Sequence, residues 1–285
     1  MKFLPLFLVV LLAGCSQAPK ATTAARQEAA IEANRRGEAY VRHGELEHAA
    51  RSYREALRLS QSLEDPEGIA ANAINLSIVR QRQGRFADAR ASLDAVMEQP
   101  NLRFTPARLT EVSLRHALLD LDQNRFSGAS EWVGQAARHC GERCPLSAAI
   151  HNVRAQLALQ AGRVEEAAAA ARSAYDASRA AGDRAELANA LRLLGISSLH
   201  RGDAAAARTH LEQALALDRE IGAPRKIALD LLALGRAAAL AGETDAARAY
   251  YTRAMAVSQA DRDGPGVAEA RALLEAADKA AATGK

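Results

Sequence analysis

Apolar and polar residues follow a helical period along most of the chain, in stretches that come in pairs. In one such pair, the segment 184–200 places Leu187 and Leu191 on one face. The segment 204–217 does the same with Leu211. The alternation of β-branched and aromatic residues that is typical of strands is absent from the sequence. The pattern therefore predicts an all-α protein.

A glycine, or once an asparagine, stands between the two helices of each predicted pair. These six turn residues are Gly44, Gly84, Asn124, Gly162, Gly202 and Gly242. The interval is 40 residues, except for 38 between the third and the fourth. An alanine follows each turn residue five positions later, at Ala49, Ala89, Ala129, Ala167, Ala207 and Ala247. A fixed period indicates a stacked repeat array, and glycine or asparagine at the break suits a left-handed helix end.

The residues around these turns resemble the tetratricopeptide repeat. Repeat one shows Gly37, Tyr40, Gly44, Ala49, Tyr53 and Ala56. Repeat six shows Leu231, Leu234, Gly235, Gly242, Ala247, Tyr251 and Ala254. The resemblance implies a right-handed α-solenoid of six helix pairs. Two departures are a period of 40 rather than the usual 34 residues, and the displacement of the proline that ends the second helix.

The first fifteen residues resemble a bacterial lipoprotein signal. Lys2 precedes an apolar run at 3–12, which is shorter than the roughly 20 residues that a bilayer-spanning helix needs. The motif Leu-Ala-Gly-Cys at 12–15 resembles the lipobox, which implies cleavage between Gly14 and Cys15 and lipidation of Cys15. An ordinary secretory signal with a chance cysteine is the alternative.

These features divide the chain into four predicted parts. We expect a signal peptide at 1–14, then the lipidated cysteine and a flexible tether at 15–27. Six repeats follow at 28–264. A helix in 265–285 then caps the apolar face of the last repeat, which would otherwise be exposed, or alternatively binds a partner.

Composition and charge change this picture little. Hydrophobic residues make up 49% of the 285 residues and aromatic residues only 4%, which favours closely packed, alanine-rich helices. The formal net charge is +3, and +2 once Lys2 is removed with the signal. Both signs are interspersed, so no basic stripe indicates nucleic-acid binding.

Two cysteines, Cys140 and Cys144, lie in the turn between repeats three and four. Past the inner membrane the compartment is oxidising, and three intervening residues permit the Cα separation of about 5–6 Å that a disulfide needs. We predict a structural disulfide, with free thiols or a zinc site that includes His139 and His151 as alternatives. No Ser-His-Asp order, phosphate-binding loop or HExxH motif occurs in the sequence, so we predict neither an enzyme nor a cofactor.

In arrays of this family, the first helix of each pair lines a concave groove where ligands bind. The candidate groove residues are Asn34, Asn75, Arg82, Arg115, Asn152, Gln156, Asn189 and Arg192. Asparagine and arginine can hydrogen-bond the backbone and the carboxylates of an extended peptide. A merely solvated helix face is the alternative for each residue.

Two sequence features bear on what the groove could bind. One subfamily binds a C-terminal carboxylate with a clamp of Lys, Asn and Arg, but Glu38 and Glu111 place acid at such positions, so we reject that activity. Repeat six has Leu229, Leu232 and Leu240 where repeat five is polar. These leucines are either covered by the C-terminal helix or form an apolar docking patch.

The resemblances together imply a lipid-anchored periplasmic adaptor that binds envelope proteins through its groove. Ser16 replaces the Asp that often retains enteric lipoproteins in the inner membrane, so we expect the outer membrane. The alternative function is a periplasmic receptor that binds a peptide or glycan in the groove. A thiol oxidoreductase would require a reactive Cys140–Cys144 turn.

Overall fold

The computed structural model describes residues 22–141 and 144–283, which contain thirteen α-helices and no strand. The helices are α1 (Thr23–Arg42), α2 (Leu46–Ser62), α3 (Pro66–Arg82), α4 (Phe86–Met97), α5 (Pro106–Asp122), α6 (Phe126–Cys140), α7 (Ser147–Gln160), α8 (Val164–Ala181), α9 (Arg184–His200), α10 (Ala204–Ile221), α11 (Pro224–Leu240), α12 (Thr244–Ala260) and α13 (Gly264–Thr283). The prediction of an all-α fold is confirmed.

The helices form six pairs, α1/α2 through α11/α12, followed by α13. Each helix packs against its partner and against helices of the neighbouring pairs. The odd-numbered helices also contact one another in sequence from α1 to α13, whereas the even-numbered helices do not. The odd-numbered helices therefore form the inner wall of an α-solenoid in which each repeat contacts its neighbours.

The six turn residues end the first helix of each pair in the left-handed conformation. Their φ angles lie between 56° at Asn124 and 79° at Gly242. The next residue then donates its N–H to a carbonyl in the last helical turn, as Glu243 does to Ala238 at 2.9 Å. This bond satisfies a carbonyl that the helix leaves unpaired, so the helix ends sharply and the chain reverses.

Small residues lie where the two helices of a pair cross. All six alanines that follow the turns by five residues are fully buried. A Cβ atom on Gly37 would lie 2.6 Å from the Tyr53 ring, and one on Gly235 would lie still closer to the Tyr251 ring. Such distances are far below normal packing contacts, so these helices approach each other this closely only because the residue is glycine.

The last helix lies over the end of the array. Helix α13 packs on α12 and α11, and its fully buried Ala270 joins the apolar cluster of the last repeat. Leu273 and Leu274 pack against the same cluster. This is the position that the predicted cap at 265–285 requires.

Helix α1 begins earlier than the predicted start of the repeats at residue 28. Thr22 is its N-cap, and the Thr22 hydroxyl accepts a hydrogen bond from the Ala25 N–H at 3.2 Å. Residues 23–27 of the predicted tether are therefore helical, because a capping threonine precedes an alanine-rich run. The predicted signal peptide, Cys15 and the rest of the tether lie outside the described residues. Within the described residues, no helix combines the length and apolar character needed to cross a bilayer.

Candidate binding groove

The inner wall borders a cavity of about 850 Å³ that extends from α3 to α13. Five of the eight predicted groove residues line it, namely Arg115, Asn152, Gln156, Asn189 and Arg192. The apolar part of its wall includes Leu114, Leu118, Val153, Leu193, Ile196 and Leu229. A concave site with an apolar wall and a few fixed polar groups has the general character of a ligand-binding site.

A series of hydrogen bonds, here called the polar ladder, joins Asn152, Glu186, Asn189 and Arg192 of this wall to one another and to the fully buried Asp230. The Glu186 carboxylate accepts from the side-chain amides of Asn152 at 2.7 Å and Asn189 at 3.2 Å. Arg192 donates to the Asn189 side-chain oxygen at 3.0 Å and to Asp230 at 2.6 Å. The polar ladder thus ties α7, α9 and α11 together and fixes the orientation of its side chains.

Arg192 and the two aspartates that it contacts are the most buried ionisable groups of the site. The Arg192 guanidinium donates to Asp230 and also to Asp218 of the outer helix α10, and both aspartates are fully buried. Burial raises the pKa of Asp230 to about 7, while the Arg192 charge opposes the rise and Asp218 adds to it. Because Arg192 is engaged by two carboxylates of its own chain, its charge is already compensated before a ligand binds. Sequence analysis identified neither aspartate.

Arg115 is the second buried arginine of the cavity wall, with 9% of its surface exposed. It donates to the Ser77 hydroxyl at 3.3 Å and to the Gln81 side-chain oxygen. Gln81 in turn donates to Asp122. Burial lowers the pKa of Arg115 to about 10, while the negative charge of Asp122 opposes the fall.

The other three predicted groove residues lie outside the cavity wall. Asn34 donates to the Asn72 side-chain oxygen at 2.6 Å, across the contact between the first two repeats. Arg82 lies 3.7 Å from the carboxylate of Asp261, close to the far end of the array. Asn75 is half-buried on α3. Asn34 and Arg82 therefore hold parts of the array together.

The three leucines of repeat six were predicted either to be covered by the last helix or to form an exposed apolar patch, and the structure shows both situations. Leu232 is buried, with 2% exposed, and belongs to the apolar cluster that α13 joins. Leu229 and Leu240 are each 48% exposed. Leu229 also lines the cavity, so it presents an apolar side chain to any occupant of the groove.

A disulfide joins Cys140 to Cys144, whose Cα atoms lie 4.9 Å apart. Both cysteines pack against the apolar cluster shared by repeats three and four. Burial, followed by the charge of a neighbouring arginine, lowers the pKa of His139 and of His151. The part of the chain that the structure describes holds no cluster of three side chains suited to a metal ion.

The helix pairs and the inner groove define an α-solenoid of the kind that binds other proteins. Two sequence models of the tetratricopeptide repeat family match the chain, one at residues 114–183 and the other at 186–260. These matches cover about half of the chain and agree with the repeats of the structure. The chain is a tetratricopeptide repeat protein. No curated protein sequence matches it significantly.

Several solved structures share this fold at low sequence identity. BtubC (BKLC) from P. vanneervenii is 22% identical, with a TM-score of 0.54 over 84% of this chain and 93% of that one. A Rap protein complexed with competence and sporulation factor is 14% identical, with a TM-score of 0.60 over 85% and 69%. A chain of the APC/C hetero-tetramer Cut9–Hcn1 is 14% identical, with a TM-score of 0.63 over 88% and 43%. Such similarity shows the fold alone.

Proposed function

We propose that the protein is a lipid-anchored adaptor of the bacterial cell envelope that holds a segment of a partner protein in its groove. The observation that carries this proposal is the cavity of about 850 Å³, whose wall combines apolar side chains with the polar ladder. Apolar contacts supply most of the affinity for a protein segment, and fixed polar groups set its direction and register.

The polar ladder supports this proposal because its groups are oriented before a partner arrives. Side chains that are already held in place lose little freedom on binding, so more of the contact energy appears as affinity. Gln156 and Lys226 also line the cavity, and neither has a hydrogen-bond or ion-pair partner among the described residues. These two side chains are available to a bound segment.

Site-specific photo-crosslinking in cells tests the groove. A photoreactive residue at position 229 lies in the cavity wall, and one at 221 lies outside it at the end of α10. Leu229 and Ile221 are matched in exposure, at 48% and 42%. We expect mass spectrometry to identify a crosslinked partner from position 229 and not from 221. Equal recovery from both positions, or no protein from position 229, contradicts the adaptor.

The second candidate function is a periplasmic receptor for a peptide or glycan. The cavity volume of about 850 Å³ favours it, because small-ligand sites commonly enclose about 300–1,000 Å³. A receptor and an adaptor differ in what the groove holds. Recovery of a short peptide or wall fragment crosslinked at position 229, in place of an intact protein, identifies the receptor.

The proposed membrane anchor is a lipid on Cys15, and it is inferred from the lipobox at 12–15. More than one acyl chain is needed for stable membrane attachment, and a lipidated N-terminal cysteine supplies it without a spanning helix. We expect Cys15→Ala to leave an unprocessed precursor or to release the protein from membranes. Cys15→Ala protein that fractionates and migrates like the lipidated form would refute the anchor, and sucrose-gradient separation of the two membranes tests the outer-membrane location.

A further inference from the structure

One of the six turns differs from the others in its surroundings. A Cβ atom on Gly44 would lie 2.9–3.4 Å from three side-chain carbons of Arg262, which follows α12 near the other end of the chain. The equivalent atom on Gly84, Gly162, Gly202 or Gly242 would meet nothing within 4 Å. The first turn of the array is therefore in contact with the connection between α12 and α13.

A second contact joins the same two ends. Arg82 lies 3.7 Å from Asp261, and their side chains are only 12% and 11% exposed. The residues at the same position of the other five repeats are exposed to solvent, at Arg42, Asp122, Gln160, His200 and Leu240. The pKa of Arg82 is lowered by its burial and then by the positive charge of Arg225, at the start of α11. The edges of repeats one and two thus face the final turns of the array.

We propose that Gly44, Arg82, Asp261 and Arg262 form a closing contact, a separable latch that brings the two ends of the solenoid together. The cavity is lined both by Ile74 of α3 and by Glu269 of α13, which belong to the two halves that the latch joins. Opening the latch therefore widens the cavity, and closing it narrows the cavity. This consequence for ligands depends on the proposed function, whereas the latch itself does not.

The chemistry of the closing contact makes it separable. The separation of 3.7 Å between Arg82 and Asp261 exceeds a hydrogen bond, and the buried Asp261 Oδ2 atom has no hydrogen-bond partner among the described residues. The side-chain amide of the adjacent Gln83 is likewise buried without partners. Unpaired buried polar groups regain hydrogen bonds to water on opening, which offsets the loss of the contact. Salt weakens the attraction between Arg82 and Asp261, although less than that of an exposed pair, and therefore shifts the equilibrium towards the open state.

A pair of introduced cysteines tests the latch. In protein that carries Cys15→Ser, Gly44→Cys and Arg262→Cys place two Cβ atoms about 3.2 Å apart, near the separation that a disulfide requires. The matched control pairs Gly162→Cys with Arg262→Cys, because Gly44 and Gly162 have φ angles of 70° and 74° and therefore similar backbone strain. Under mild oxidation, the first pair should crosslink at least roughly tenfold faster than the control, as expected for thiols held together.

The same assay measures whether the latch separates. We expect Asp261→Asn to slow crosslinking of the 44/262 cysteine pair without loss of the helical circular dichroism signal. Added salt should have the same effect on the 44/262 pair in protein that retains Asp261. A pair that forms no faster than its control shows that the ends do not meet, and a fast pair unaffected by either change shows a permanent contact. Both results overturn the proposal. If the cysteine variants fail to fold, the latch can be tested in protein without these cysteines. Its radius of gyration, measured by X-ray scattering, should rise with salt concentration while its helix content stays constant.

Discussion

Replacing Gly235 by alanine gives a sharp test of the helix crossings, because two effects of opposite sign act on the free energy of unfolding. The new Cβ atom would lie 2.6 Å from Cδ1 of the buried Tyr251 ring. Overpacking of this kind costs about 1–3 kcal/mol, and replacing a helical glycine by alanine returns up to about 1 kcal/mol. After subtraction of the full gain, we therefore expect Gly235→Ala to destabilise the protein by up to about 2 kcal/mol.

Gly134 provides the matched control, since it also lies inside a helix, α6, but has room for a side chain. The nearest atom to its added Cβ is a guanidinium nitrogen of Arg138 at 3.5 Å, an ordinary contact. Gly134→Ala should therefore stabilise the protein by about 0.5–1 kcal/mol. Urea unfolding followed by circular dichroism at the helix band measures both changes.

The decisive comparison introduces Gly235→Ala into a Tyr251→Ala background. Tyr251→Ala removes the ring that the new methyl group would contact, so in that background Gly235→Ala should become neutral or stabilising. The sign of its effect then depends on residue 251, as expected for two groups in direct contact. An equal loss of stability in both backgrounds would refute the reasoning, because the cost could not then come from the tyrosine ring.

Three further predictions concern the buried aspartate, the last helix and the disulfide. Native Asp230 retains a proton to about pH 7 that the unfolded chain releases near pH 3.8, so stability should fall as pH rises through this interval. Urea titrations at several pH values measure this fall, and Asp230→Asn should flatten it. Truncation before Pro265 removes α13 and should lower the melting temperature and cause self-association; an unchanged melting curve contradicts the cap. Replacing Cys140 and Cys144 by serine should cost at most about 2 kcal/mol in urea unfolding, because the bridge closes a very short loop; a larger loss would show that the bridge stabilises more than this turn.

The fold was predictable because its strongest constraints are local and recur at a fixed interval. A left-handed helix end favours glycine or asparagine, and a close helix crossing requires alanine or glycine. Each constraint therefore selects the same few residue types at the same position of every repeat. The earlier start of α1 was also visible in principle, since Thr22 precedes the alanine-rich run 23–30. The segment lacks an apolar period, however, and that absence predicts a tether.

The candidate site was predictable only in part. Helical periodicity placed Asn152, Gln156 and Asn189 on the inner wall, where the structure has them. It did not show that Arg192 is engaged by Asp218 and Asp230, because those residues come from two other helices. The sequence does distinguish Asp218 from its equivalents. It stands sixteen residues after the turn glycine Gly202, and the same position in repeats one, four and six holds serine, at Ser60, Ser178 and Ser258.

The contact between the ends of the array was beyond such reasoning. It depends on the curvature accumulated over six helix pairs, and a small change in the angle at each interface moves the far end by a large distance. Arg82 was therefore predicted as a groove residue from its helix face. The structure places it against Asp261 instead.

The polar pairs between repeats also favour particular helices as neighbours. Arrays of similar repeats risk pairing a helix with the wrong copy, because the apolar surfaces are nearly interchangeable. Here the pair between repeats one and two is Asn34 with Asn72, and the pair between repeats five and six is Arg192 with Asp230. If repeat five packed against repeat four in place of repeat six, Arg192 would face Ile150. It would then keep Asp218 of its own repeat as a partner, but the buried hydrogen bond to Asp230 would not form. Each of these two pairs therefore favours the native neighbour over a different repeat.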